Sequence, residues 1–124
     1  ISAGLALPRY SSVIERQIAS EGTSILTAIK GAQERCRIEN GAYTNTFGNL
    51  DMTVPNSNNF NAPAVEDGTS GNRLGNITRK TNTYTLHIGI SGALRCCDGA
   101  TTDCQKIGIT DGACAVVGGT PSIP

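Results

Sequence analysis

Apolar positions recur at helical spacing through the first third of the chain. Ile14, Ile18, Gly22, Ile25, Ile29, Ala32 and Cys36 follow one another at intervals of 4, 4, 3, 4, 3 and 4, the repeat that lines up side chains on one face of an α-helix. Glu15, Arg16, Glu21, Lys30, Glu34 and Arg37 fall mostly off that stripe. No proline interrupts the segment between Pro8, which a first helical turn tolerates, and Glu39. Asn40-Gly41 suits a left-handed C-cap. Gly22 and Gly31 each weaken such a helix by about 1 kcal/mol relative to alanine, but they admit a close neighbour. About thirty residues at about 1.5 Å each give a helix of about 45 Å. A domain of this size does not cover that length, and apolar surface left bare on a long helix implies a partner.

The periodicity then changes. Residues 40–80 read as a long connection rich in Asn, Gly, Ser, Thr and Pro, a composition that favours turns over ladders. Phe47, Leu50, Met52 and Phe60 are expected to pin it to the helix. Tyr84, Leu86, Ile88 and Ile90 alternate with Thr85, His87, Gly89 and Ser91, which predicts a strand. Ser91-Gly92 is the hairpin turn. Leu94 and Cys96 continue on the inner face of a second strand, with Arg95 and Cys97 outside, and Ile107 and Ile109 suggest a short third strand. The expected class is α+β: a long N-terminal helix (residues 1–40) packed on a small antiparallel sheet within a globular head (residues 41–124).

Five cysteines change the picture. Cys36, Cys96, Cys97, Cys104 and Cys114 show no C-x-x-C pair, and His87 is the single histidine, so zinc spacing is missing. A disulfide-stapled exported domain is the expectation, with the odd cysteine unpaired or paired between chains. By parity Cys96 faces the helix and Cys36 lies on the buried stripe. A Cys36–Cys96 bridge would close a loop of about 60 residues, worth about 4 kcal/mol. Cys104 with Cys114, or Cys97 with either, are all compatible with the spacing of the rest.

Charge and chemistry narrow the function classes. Ten basic and ten acidic residues cancel, so no net field draws the chain to nucleic acid, and no direct nucleic-acid site is evident. His87 takes the outward parity of its strand, where a surface histidine is expected, and no nucleophile or orienting acid accompanies it. Asp98-Gly99, Asp103 and Asp111-Gly112 lack the spacing of an EF-hand and read as turns. Asn76-Ile77-Thr78 is a glycosylation sequon by pattern. Neither an enzyme, a cofactor nor a metal is expected. Ile1 to Leu7 is too short to span a bilayer, which takes about 20 apolar residues, and reads as the tail end of a longer hydrophobic helix.

Two stretches carry a resemblance. Ala6-Leu7-Pro8-Arg9-Tyr10 leads from an apolar segment into the amphipathic helix. Farther on, Gln33-Glu34-Arg35, Glu39-Asn40-Gly41, Tyr43-Thr44, Phe47 and Leu50-Asp51 mark the helix end and the turn-rich residues after it. Both resemble type IV pilins, at the separation that family requires. The resemblance covers the first 52 residues well and the rest in general layout. Cys36 departs from it, since the family often has an aromatic residue there. The family's signature start, a cleavage site followed by Phe or Met, an apolar run and a buried acidic residue, does not occur in this sequence.

The resemblance implies a pilin-like fold and a structural role. Many copies would stack their N-terminal helices into a helical filament of identical subunits, on the outside of a bacterial cell. The missing N-terminal segment would hold each subunit in the inner membrane before assembly. Leu5, Leu7, Pro8, Tyr10, Ile14 and Ile18 are the expected assembly residues, and Gly4 and Pro8 lie where pilin helices lose hydrogen bonds in filaments. Pilins often close a C-terminal loop with a disulfide, which favours pairing within that region. Adhesion, twitching motility and DNA uptake are the functions implied. The alternatives are a major pseudopilin of a type II secretion system, whose relatives carry calcium in a loop, and a secreted disulfide-stabilised binding domain.

Overall fold

The computed structural model of the chain describes the backbone of residues 3–124 and the side chains of residues 12–124. Helix α1 runs Ala3–Asn40, 38 residues or about 57 Å. It ends as its sequence dictates: Gly41 takes φ +84° and donates its N–H to the Arg37 carbonyl at 2.7 Å, a left-handed cap. Four strands come next, β1 (Ala64–Val65), β2 (Arg73–Thr78), β3 (Thr85–Gly89) and β4 (Leu94–Cys97). They form an antiparallel sheet in the order β1-β2-β3-β4. A short helix α2 (Asp103–Ile107) comes last, so the layout is α+β.

The sheet packs one face on α1. Ala19, Leu26, Ile29, Ala32 and Cys36 of the helix meet Leu74, Ile77, Leu86, Ile88 and Cys96 of the sheet in a single buried cluster. The buried line is thus centred on Leu26, while Ile18 and Ile25 are only partly buried at its flank. Gly22 lies at the tightest approach. A Cβ built there would sit 2.8 Å from Phe60 Cζ and 3.2 Å from Leu86 Cδ1. Phe60 is buried and packs edge-on against Tyr84, with ring centroids 6.3 Å apart, so it has nowhere to go. Gly22→Ala gains about 1 kcal/mol of helix propensity but overpacks the core at a cost of about 1–3 kcal/mol. We expect a net loss of about 1 kcal/mol in urea unfolding. Gly31→Ala meets only the flexible Arg35 guanidinium at 3.5 Å and should gain about 1 kcal/mol.

After the cap, the chain folds back and locks on the helix end. The two N–H groups of the Gln33 amide are shared among the carbonyls of Thr44 (2.7 Å), Glu66 (2.9 Å) and Leu74 (3.2 Å), and its oxygen accepts the Thr44 N–H. Tyr43 donates its hydroxyl to Glu34 at 3.0 Å under the Arg37 guanidinium. Arg35 grips Asp51 through two hydrogen bonds of 2.6 and 2.7 Å. Leu50 and Phe60 are buried, and Phe47 and Met52 pack partly against the core. The second stretch of the pilin resemblance is therefore one physical device, a turn-back stapled to the last turns of the helix.

Elsewhere the structure corrects the sequence expectations. Residues 40–80 are not one connection. They contain β1, β2 and the isolated bridge Phe60↔Arg79, because the turn-like glycine at position 75 is used for contact, its Cβ site 3.0 Å from Ile29 Cγ2. Ile107 and Ile109 form no third strand. Ile107 ends α2, and Gly108 comes after it at φ +72° as its left-handed cap. The disulfides are Cys96–Cys104 and Cys97–Cys114, and Cys36 is free and buried. The expected Cys36–Cys96 bridge is overturned. Cys96 pairs its backbone with Thr110 and Gly112, which draws residues 103–114 across β4 and offers it a sulfur only 8 positions away.

His87 is the clearest correction. Its outward parity is right: it alternates with Leu86 and Ile88, which face the helix. Yet it is 3% exposed, and every residue of β3 is buried. Residues 115–124 run over the outer face of the sheet. Ile123 donates its N–H to Gly71, while Arg73, Asn72 and Ser91 hold the carbonyls of Pro121, Ile123 and Pro124. A strand covered on both faces has no solvent side.

Candidate assembly surface

The first described side chains of α1 lie near the sheet edge of the head. Glu15 ties this end of α1 to the sheet. Its carboxylate pairs with Arg79 at 2.9 Å and accepts the Tyr84 hydroxyl at 2.6 Å. Burial pushes the Glu15 carboxyl up, but the Arg79 and Tyr84 hydrogen bonds and the Arg79 charge outweigh it and hold the group below the usual carboxylate range. Burial, reinforced by Glu15, drives the Tyr84 phenol far up, so it stays a donor. The next residue, Arg16, donates to the Lys106 carbonyl at 2.9 Å and so satisfies the last turn of α2.

Just ahead of these contacts, Val13 is 49% and Ile14 is 38% exposed. They are neighbours on a helix that extends ten residues farther in the N-terminal direction, to Ala3. Of the expected assembly residues, Ile14 is thus open to a partner and Ile18 packs partly against the chain's own core. The side chains of Leu5, Leu7, Pro8 and Tyr10 lie outside the described residues. Val13 joins Ile14 although it stands off the single ridge that the apolar spacing defines. Its signal in the sequence was an apolar residue adjacent to the stripe and N-terminal to the charged anchor Glu15. Among the described residues no helix is long and apolar enough to cross a membrane.

The remaining candidates have structural work. Asp98, Cys104 and Asp111 bring three possible ligand atoms within 4.8 Å of one another. However, the Cys104 sulfur is in a disulfide, and the Asp98 carboxylate accepts the N–H groups of Ala100 and Cys104. Asp98 therefore holds the entry to α2, as Asp111 holds the turn at Ala113. Asn76 sits in β2 between its two neighbouring strands and donates its amide to Glu66 at 3.3 Å. Cys36 borders an open polar hollow of about 370 Å³ shared with Asn40, Tyr43 and Asn49, and the Asn40 amide reaches its sulfur at 3.6 Å. No family model, curated protein or solved structure matches this chain.

Proposed function

We propose that this chain is the repeating subunit of a type IV pilus-like filament on the outside of a bacterial cell. One observation carries the reading: Val13 and Ile14, on a helix that continues N-terminally to Ala3, are apolar and open. Apolar helix surface of this kind is stabilised by burial, at about 25 cal/mol per Å². A sister helix covers it with a surface of the same period. Where the sister copy meets the patch with a different part of its surface, through a rotation that does not close, the heterologous contact repeats as a helical array. The paired sequence stretches at the two ends of α1 support the same assignment, and the second of them has a clear task in the turn-back lock.

In this reading the N-terminal half of α1 builds the filament core. The sheet, residues 115–124 and the C-terminal disulfides form the outer surface, which serves adhesion, motility or DNA uptake. The test is immunogold electron microscopy of the producing cells with antibodies against the purified head. Label running along surface filaments is the expected result. Label confined to a soluble monomer in the culture fluid overturns the proposal and favours a secreted binding domain.

A further inference from the structure

His87 is buried with only distant polar neighbours, Glu66 at 4.0 Å and the Gly119 backbone. Its two ring nitrogens are, among the described residues, the only buried side-chain nitrogen or oxygen atoms that make no hydrogen bond. Such a polar group, left unpaired, costs about 1–3 kcal/mol, and in native proteins it marks strain, a reactive role or a bound water or ion. The residue lies beneath residues 115–124, a strap that crosses the outer face of the sheet.

This strap is lightly fastened. Among the described residues, beyond the Cys97–Cys114 disulfide and the contacts of the Gly119 backbone with Cys97 Sγ and the His87 ring, hydrogen bonds run from Arg73 Nη1 to Pro121 O (2.7 Å), Asn72 Nδ2 to Ile123 O (2.7 Å), Ser91 Oγ to Pro124 O (2.8 Å) and Ile123 N to Gly71 O (2.9 Å). It buries Pro121 and Ile123. The Ile123 side chain is seated directly on Gly89, where a Cβ would lie 2.6 Å from Ile123 Cγ2. Cys97 and Ile123 are buried but stand apart from the helix–sheet core cluster. The strap can therefore lift without opening that core.

We propose that His87 is an acid-sensitive latch, whose protonation releases residues 115–124 from the sheet while the helix–sheet core stays folded. The charged groups around it set this up. Glu66 Oε2 lies 4.0 Å from His87 Nδ1, but Glu66 is already committed to Arg73 at 2.9 Å and to the Asn76 amide at 3.3 Å. Arg73, with its side chain 8% exposed, and Arg95, the cross-strand neighbour of His87 on β4, add positive charge on the same face. Residues 115–124 bring no ionisable side chain. A proton arriving on the ring thus meets one shared carboxylate and two guanidinium groups. The ring faces Glu66 Oε2 while Arg73 holds Oε1, so an imidazolium that draws Glu66 shares one carboxylate with Arg73 and weakens the pair behind the group that holds Pro121. If it does not draw Glu66, the charged ring is left unsolvated. Either strain is relieved by letting water in under the strap.

Burial, with a contribution from Arg73, pushes the ring down to about 4 from an ordinary 6.5, against the opposing pull of Glu66 and the Gly119 backbone. The open state therefore takes up a proton near the ordinary value, and the closed state only near 4. Strap closure is complete above about pH 6.5 and weakens as pH falls toward 4. Between pH 7 and pH 4.5 the closed-to-open ratio drops by about 50-fold. This device is independent of filament formation and operates in a monomer as well.

The experiment is amide hydrogen exchange on the whole chain at pH 7.0 and pH 4.5, with exchange times scaled for the intrinsic pH effect. The Ile123 amide and its neighbours should lose protection by about 50-fold, with α1 and β3 amides unchanged. In His87→Gln the strap should be equally protected at both pH values. Gly89→Ala, which unseats Ile123, marks the released state at pH 7. Level strap protection in the parent chain, the same drop in His87→Gln, or equal loosening of α1 each overturns the latch. If His87→Gln does not fold, NMR titration of the His87 ring in the parent chain decides. A ring midpoint coinciding with the strap amide shifts supports it, and separate midpoints sink it.

Discussion

Gln33→Ala is expected to lower the unfolding free energy by about 4 kcal/mol, the largest effect of any single polar substitution in the head. Gln33 is fully buried on α1, and its one amide serves three separate segments: the turn-back at Thr44, the β1 arm at Glu66 and the β2 entry at Leu74. Truncation strands the Thr44 and Glu66 carbonyls and the Thr44 N–H, at about 1–3 kcal/mol for each group that water cannot reach, while the Leu74 carbonyl keeps the Glu66 N–H. It also leaves a hole where the side chain was. Partial collapse and water entry keep the total below the simple sum. Gln33→Glu separates the two causes. It fills the hole, but it aims a carboxylate at three carbonyls, so it should be badly destabilising at neutral pH and recover as pH falls. Arg35→Ala is the contrast, because both side chains of the Arg35–Asp51 pair are about half exposed and such pairs contribute little. Urea denaturation with an unchanged m-value checks all three, and a Gln33→Ala loss below about 1 kcal/mol would refute the lock.

The second large effect separates assembly from folding. Ile14→Asp, alone or with Val13→Asp, should abolish filaments in the producing cells and leave the melting temperature of the head within about 2 °C. Both side chains are already substantially open to water in the monomer, so the head gives up little burial. In a filament the same positions would be covered. Each substitution then forfeits about 1.5–3 kcal/mol of apolar burial and adds several kcal/mol for an unpaired carboxylate taken out of water. About 5 kcal/mol per contact is more than about a 1,000-fold loss in association, repeated at every subunit. Filaments of normal number and length in the Ile14→Asp strain would remove the physical cause proposed for assembly. A collapse of the melting temperature would show instead that Ile14 belongs to the head.

Much of this architecture was legible from residue order. The helix, its stop at Asn40-Gly41, the β3 alternation and the Ser91-Gly92 turn all depend on neighbours within a few positions. Even the facing of His87 was set by parity. The features that went astray depended on distant chain. Leu26, rather than Ile25, centres the buried line, because the rotation of α1 is chosen by Phe60 and Leu86 pressing into the notch at Gly22. The β2 strand was hidden because a glycine that reads as a turn is also suited to a strand under a close helix.

From its sequence alone this protein has a long amphipathic helix with a defined end and a period-two hairpin after it. Local sterics and hydrogen-bond closure are sufficient for those features. Tertiary structure alone decided that Cys96 pairs with Cys104 and leaves Cys36 a thiol, that Gln33 ties three segments together, and that a C-terminal strap buries an uncharged His87. Each of these needs groups far apart in sequence to meet, and only the packed sheet, with one face on α1 and the other under the strap, selects which of them do.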